Sequence, residues 1–247
     1  MGRAVEVWEL AGREFDEGRS KVAVVPVGSV ERHGDHLPLG TDAIEAQWVA
    51  RRVAEELGAD LFPPIWYGVS PGLARFPGTI NVSQQAFIAY VTDVLREVAR
   101  NGYRLVVVVN GHGGNTPALR AAIKDAAAST DAAYALFDWW RDAGREALAR
   151  LFRSPGHAGE DETSAMLYID GAHVRMEYAS PHALPPELSR VYSSVYVESR
   201  RVEELYYPRA VLGDPTAASA DRGREWLEAV VRDIVARVRD LMAVLGL

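Results

Sequence analysis

The sequence predicts an α/β fold, a single-domain three-layer sandwich over residues 1–247 with a central, mostly parallel sheet flanked by helices. Three observations carry that reading. Residues 21–28 (KVAVVPVG) and 104–109 (RLVVVV) are β-branched and almost uninterrupted, as strands buried on both faces of a parallel sheet are. The second run passes at once into NGHGGN and a helix-forming stretch, the strand, glycine loop and helix of a βα unit. An apolar fraction of 48% and a charged fraction of 25% over 247 residues suit one ordinary globular core.

In chain order, a short helix is expected over 5–14, followed by the strand at 21–28. Thr41 or Asp42 is placed to cap a helix running to Leu57, with Ala46, Val49, Ala50 and Val53 on its apolar side and Gly58 as its stop. Residues 60–65 read as a second strand, weakened by Pro63 and Pro64. The stretch 66–79 (WYGVSPGLARFPGT) has no helical period and reads as a connection or as a wall of a substrate pocket. Ser83 is expected to cap a helix over 84–100 with Phe87, Tyr90, Val91, Val94, Leu95 and Val98 on one face, ended by Asn101-Gly102. After the strand at 104–109, helices are predicted over 116–128 and 141–152, with a strand at 132–138 between them. A further helix starts within 155–166 (PGHAGEDETSAM) and runs through Met166 and Tyr168. Residues 172–212 are irregular apart from a candidate strand at 191–197. From Asp221 a stripe through Trp226, Val230, Ile234 and Val238 marks a helix that packs on the sheet or on another subunit.

Composition narrows the function. A net charge of −7 argues against nucleic acid or an anionic membrane as the main partner. The chain has no cysteine, so disulfides and thiolate metal sites are excluded. There is no basic-plus-apolar leader and no apolar run near the ~20 residues that a membrane span needs, so a cytoplasmic location is expected.

The chemistry gathers in three polar clusters. Glu31, His33, Asp35, His36 and Asp42 follow the first strong strand within fifteen residues. Carboxylates that close repel one another unless something cationic sits among them, and a metal ion answers that with imidazole and carboxylate ligands. On an extended segment Glu31 and His33 point to the same side, at the carboxyl end of a strand where sites of open α/β sheets lie. The competing reading is a solvated polar loop. The second cluster, NGHGGN at 110–115, brings His112 to the same sheet edge; it lacks the spacing of a dinucleotide motif and the lysine of a P-loop. The third holds His157, Glu160, Asp161 and Glu162, acids that also suit a helix N-terminus.

GSVERHGDHLPLGTD, NGHGGN and HAGEDETS, with FPGT between and GDP near the end, resemble the creatininase family of creatinine amidohydrolase-like metalloenzymes. The resemblance implies a binuclear metal-dependent amidohydrolase that cleaves a linear or cyclic C–N amide bond of a small molecule. Two divalent ions, zinc first with manganese or iron as alternatives, would activate the attacking water. It also implies a homo-oligomer, a hexamer in that family. Glu31 and His33 would bind different ions, Asp42 would bridge them, His112 would complete the first, and His157 would lie beside the substrate. The general acid would be His157 or Glu160; Gly113, Asn115 and Phe76 are the substrate-binding candidates. Two departures point away from creatinine itself. Gly113 and Gly114 stand where creatininase has a pocket tyrosine and a metal-binding glutamate, and Arg153 and Ser154 replace an aromatic wall. Glu162 is then the best substitute for the missing ligand. The NGHGGN form looks like the formamide deformylase, peptide-trimming and cyclic amide or keto-inositol hydrolase branches. A non-catalytic nucleotide-binding module and a metal-stabilised scaffold are the rivals from other classes.

Overall fold

The valine-rich runs form the centre of the sheet. The computed structural model describes residues 5–192, 197 and 199–247. Five parallel strands lie in the order β1-β3-β2-β4-β5: β1 Val5–Glu6, β2 Val22–Val27, β3 Asp60–Leu61, β4 Leu105–Asn110 and β5 Ala133–Asp138. The helices are α1 Gly12–Gly18, α2 Thr41–Leu57, α3 Gln84–Arg100, α4 Thr116–Ala127, α5 Trp139–Asp142, α6 Arg145–Leu151, α7 Glu160–Asp170, α8 Pro186–Tyr192, α9 Arg200–Tyr206 and α10 Ala220–Leu245. No helix is long and apolar enough to cross a membrane among the described residues.

Successive side chains of a strand face opposite sides, and here both sides are covered. Val22, Val24, Leu105, Val107 and Val109 pack with Val49 and Val53 of α2 and with Trp226, Val230 and Ile234 of α10. Ala23, Val25, Val27, Val106 and Val108 pack with Phe87, Val91 and Leu95 of α3 and with Leu119 and Ala122 of α4. The expected three-layer sandwich is therefore the fold.

Strands β2 and β4 run in register from Val22 opposite Leu105 to Val27 opposite Asn110, so Gly28 and Gly111 leave the sheet side by side. A Cβ on Gly28 would overlap the Ala43 backbone, and one on Gly111 would overlap the Asp42 carbonyl. Both glycines let the first turn of α2 settle onto the strand ends, which brings Asp42 over the sheet edge.

Several local expectations change. The helix expected at 5–14 is instead the edge strand β1, a 3₁₀ turn at Val7–Glu9 and the later α1. The strand at 60–65 shortens to β3 with one bridge from Ile65 to Val27, because Pro63 and Pro64 cannot donate to a ladder. Gly40, not Thr41 or Asp42, caps α2, which leaves the Asp42 carboxylate for another use. Ser83 caps α3 as expected, accepting from the Ala86 amide, but Tyr90 is exposed. The helix at 141–152 divides into α5 and α6 at Gly144, whose φ of 61° is left-handed. Val191 and Tyr192 end α8 rather than starting a strand; of the remaining candidate residues, 193–196 lie outside the described residues.

Helices α7 and α10 meet at Gly223, where a Cβ would overlap the Ser164 carbonyl. The Ser164 hydroxyl also accepts from the Ser219 amide at 2.9 Å. Gly223→Ala is expected to destabilise the protein by about 1–3 kcal/mol through overpacking. Urea denaturation should show a lower midpoint with an unchanged slope; an unchanged midpoint would mean the helix pair can open at no cost.

Candidate metal centre

Past Val27 the chain runs without regular structure to a turn at Gly34, whose φ of 62° suits glycine. This segment delivers Glu31 and His33, both buried, to the carboxyl end of the sheet. Asp42 arrives from the first turn of α2, His112 from the β4–α4 loop, and His157 and Glu162 from the start of α7 and the loop before it.

The two oxygens of Asp42 face two imidazoles. His33 Nε2 lies 3.0 Å from Oδ1 and His112 Nδ1 lies 3.0 Å from Oδ2. Glu31 approaches His112 at 3.3 Å, and Glu162 approaches His33 at 3.7 Å. Ligand atoms of Glu31, Asp42 and His112 lie within 4.8 Å of one another, as do those of His33, Asp42 and Glu162, and those of Glu31, His33 and His157. The first two groups share Asp42.

Backbone carbonyls set the tautomers. A carbonyl can only accept, so His33 Nδ1–H donates to Glu31 O at 3.2 Å, His112 Nε2–H to Val69 O at 3.0 Å and His157 Nε2–H to Arg32 O at 2.9 Å. His33 and His112 then turn their other nitrogens toward Asp42, and His157 turns its own toward Glu31, each a lone-pair donor once it is unprotonated. His33 Nε2 and Asp42 Oδ2 are buried with no hydrogen-bond partner. Paired lone-pair donors of this kind, orphaned in the interior, fit divalent cations.

The electrostatics say the same. Burial alone would lower His33 and His112, but Asp42 carries His33 well above its usual range, and Glu31 with Asp42 lifts His112 to about 9. Burial raises Glu31, and it raises Glu162 to about 8. Asp42 itself is held low against its burial by His33 and His112. Burial, then the neighbouring His33, pushes His157 down to about 3, so its ring is neutral near pH 7. The carboxylates here need positive charge, and protons on His33 and His112 or a bound cation can supply it.

Beside the cluster opens a cavity of about 380 Å³, lined by Glu31, Asp42, His112, Gly113, His157 and Glu162 among others. Three expected site residues point elsewhere. The Glu160 carboxylate accepts from the Arg153 and Ser154 amides and pairs with Arg222 at 2.5 Å, so it fastens α7 to α10 rather than facing the cavity. Asn115 is buried, donating to Gly28 O and accepting from the Val69 amide, which braces the two strand-end loops. Phe76 stacks under the Arg75 guanidinium at 4.7 Å and does not line the cavity. Glu160 and Asp161, expected in a solvated helix start, are both buried. His36 turns to Thr163 at 2.9 Å and Asp35 pairs with Arg32 on the surface.

The sequence did not point to Ser29, Glu45, Trp140 or Tyr207, and it gave Ser70 only within the stretch 66–79 read as a connection or a pocket wall, of which residues 69–73 line the cavity. Ser29 donates to Glu31 at 3.0 Å and exchanges a 2.7 Å hydrogen bond with Ser70, which in turn touches His112. Glu45 is buried one turn beyond Asp42, and burial raises it well above its usual range. A period-three spacing from Asp42 along α2 is the one sequence signal that could have found it. Trp140 and Tyr207 come from segments far away in sequence.

The likeness to known proteins agrees with this geometry. A family model described as creatinine amidohydrolase matches residues 8–238. The mycofactocin precursor peptide peptidase of Mycobacterium tuberculosis is 36% identical over 234 residues, covering 87% of this chain and 83% of that protein. The creatinine amidohydrolase of Pseudomonas putida is 28% identical over 261 residues, covering 97% of this chain and 98% of that protein. The solved structure named Creatininase Mn superimposes with a TM-score of 0.80 at 28% identity, covering 96% of this chain and 98% of that one. The chain therefore belongs to the creatininase family, as a hydrolase acting on carbon–nitrogen bonds of amide type.

Proposed function

We propose that this chain hydrolyses a small-molecule amide with two divalent metal ions, one held by Glu31, Asp42 and His112 and the other by His33, Asp42 and Glu162. The observation that carries the reading is the placement of His33 and His112, each tied to a backbone carbonyl, against the two oxygens of one Asp42. Ions of this charge acidify a water toward neutrality and polarise an amide carbonyl when bound. Zinc, manganese and iron all suit nitrogen and carboxylate donors; the relative solved as Creatininase Mn favours divalent ions in general. Homo-oligomeric assembly, as a hexamer, and a cytoplasmic location belong to the same reading on family resemblance.

The protein's own groups do the rest. Ser29 holds Glu31 in place, and the Val69 and Glu31 carbonyls fix the two ligand rings. His157 presents an unprotonated Nδ1 at the cavity, 3.8 Å from Glu31, with its other nitrogen committed to Arg32 O. Nδ1 is therefore the ring atom that can accept a hydrogen bond from the attacking water or from the scissile N–H. The Glu160 carboxylate, engaged with Arg222, does not face the cavity and is not given that role. A peptide-trimming activity is the second reading, favoured by the 36% identity to a peptide peptidase.

Gly114 explains why the ligand set differs from the pattern of creatininase. A Cβ there would overlap the Val69 carbonyl and come within 2.5 Å of His112 Nε2, so no side chain can enter from that position. Glu162 faces His33 instead, while its Oε2 also accepts from the Ala158 amide at 2.5 Å.

Asp42→Ala should remove bound metal and lower turnover by at least the ~100-fold that even an outer partner of a metal ligand can cost. Elemental analysis with a steady-state assay checks this, and full activity would end the two-metal reading. Glu162→Gln keeps the shape but not the charge, and should lose one metal equivalent per chain with helical circular dichroism unchanged; retention of both equivalents would remove Glu162 from the ligand set. Gly114→Ala should weaken metal binding by about tenfold or more through displaced His112, whereas Gly113→Ala, whose Cβ meets only Trp140 at 3.8 Å, should bind metal normally. Equal metal affinity in the two variants would contradict the crowding argument.

A further inference from the structure

The β4–β5 ladder ends on a polar pair. The strands run in register from Leu105 opposite Ala133 to Asn110 opposite Asp138, the residues from which both chains leave the sheet. Asn110 and Asp138 are buried, and neither lines the cavity. A carboxylate and an amide buried together are costly unless each polar atom is answered, and here all are. Asp138 Oδ1 accepts from Asn110 Nδ2 at 2.7 Å and from the Thr116 hydroxyl at 2.9 Å, while Oδ2 pairs with Arg141.

Asn110 in turn grips His112 at both of its backbone groups. Nδ2 donates to the His112 carbonyl at 2.8 Å, and Oδ1 accepts from the His112 amide at 3.1 Å. The motif makes such a grip necessary. His112 stands between Gly111 and Gly113, the residue type that restricts a backbone least, yet its ring must keep Nδ1 at 3.0 Å from Asp42 and Nε2 at 3.0 Å from the Val69 carbonyl. A carboxylate paired with an arginine only accepts, so Asp138 draws the NH2 end of Asn110 to itself and leaves the oxygen end for the His112 amide. An amide turned end for end would set its oxygen against the Asp138 carboxylate and the His112 carbonyl. The bond to the charged acid is also about twice as strong as a neutral one, which holds the Asn110 amide still.

We propose that Asp138 is a positioning residue for the candidate metal centre: acting through Asn110, it fixes the backbone of His112 and thereby the aim of the imidazole at Asp42. The inference rests on the two-metal reading and deepens it, giving the His112 half of the site a support at the end of β5 that lies outside the cavity.

The full chain tests this as wild type, Asp138→Asn, Asp138→Leu, Asn110→Ala and the double variant Asp138→Leu/Asn110→Ala. Hydrogen exchange followed by NMR on the protein without metal should show the His112 amide protected in wild type. In Asp138→Leu it should exchange about tenfold faster, as loss of one charge-assisted hydrogen bond predicts, and in Asp138→Asn, which keeps an acceptor oxygen for Asn110, about threefold faster. Titration of zinc against a competing chelator should show one equivalent per chain weakened about tenfold in Asp138→Leu, and by less in Asp138→Asn. The double variant should bind zinc no more weakly than Asn110→Ala, because one support acts through the other. An unprotected His112 amide in wild type, exchange unchanged in both Asp138 variants, unchanged zinc affinity in Asp138→Leu, or additive losses in the double variant would each overturn the proposal. If Asp138→Leu does not fold, the exchange rates of wild type and Asp138→Asn decide it. A chain that binds no zinc in any form would end the two-metal reading, while exchange without metal still decides whether Asp138 holds His112, so the two fail separately.

Discussion

Everything at the carboxyl edge of this sheet depends on one constraint: several carboxylates are buried together and must be answered by positive charge. Glu31 comes from the loop after β2, Asp42 and Glu45 from α2, and Asp161 and Glu162 from the first turn of α7, and all lie out of bulk water or nearly so. Left to themselves they would take up protons, and burial does raise four of them, with Asp161 reaching about 6. Asp42 is the exception because two imidazoles face it from both sides. Asp42 is thus shared by two groups of candidate ligands, and the surrounding fold holds it still.

The holding is done by backbone. Three carbonyls fix three rings, and two glycines at the ends of β2 and β4 admit the first turn of α2 to within contact of the strands. Because the glycines lack a Cβ, Asp42 is carried by a helix end and not by a loop, and the positive N-terminal dipole of α2 adds to the stabilisation of its charge. Helix α7 is placed just as firmly, through Glu160 on Arg222 and Ser164 against Gly223. Ala158, immediately before α7, adopts a left-handed φ of 50°. Strain of that kind in a non-glycine residue persists where its surroundings over-determine it, and here its amide bonds to Glu162.

Acids that look alike in HAGEDETS have therefore been assigned unlike work. Glu160 ties two helices together, Asp161 closes the loop at Gly156, and Glu162 faces His33. On the opposite loop, Gly114 is pressed against Val69 and His112 and brings no acid where the pattern of creatininase has one, and Glu162 stands 3.7 Å from His33, behind Asp42 at 3.0 Å. A single substitution in the loop and the direction of one side chain on α7 are parts of the same arrangement.

The sequence by itself determined the layers of the fold, since unbroken runs such as LVVVV can be satisfied only between two apolar layers, and it determined the family through three motifs of fixed order. It also made Glu31, His33, Asp42 and His112 legible as a group, because extended-chain alternation and the βα turn both deliver residues to one sheet edge. The tertiary structure alone decided the rest. Neither the direction of Glu160 nor the burial of Asn115 follows from a local pattern, since each is settled by partners far along the chain, Arg222 and Gly28. Glu45, Tyr207 and Trp140 were silent for the same reason: a helix acid and two aromatics carry no motif, and acquire meaning only when distant segments close around one cavity. Local periodicity reports which side of an element is buried, whereas the partner a polar group meets there is fixed by long-range packing.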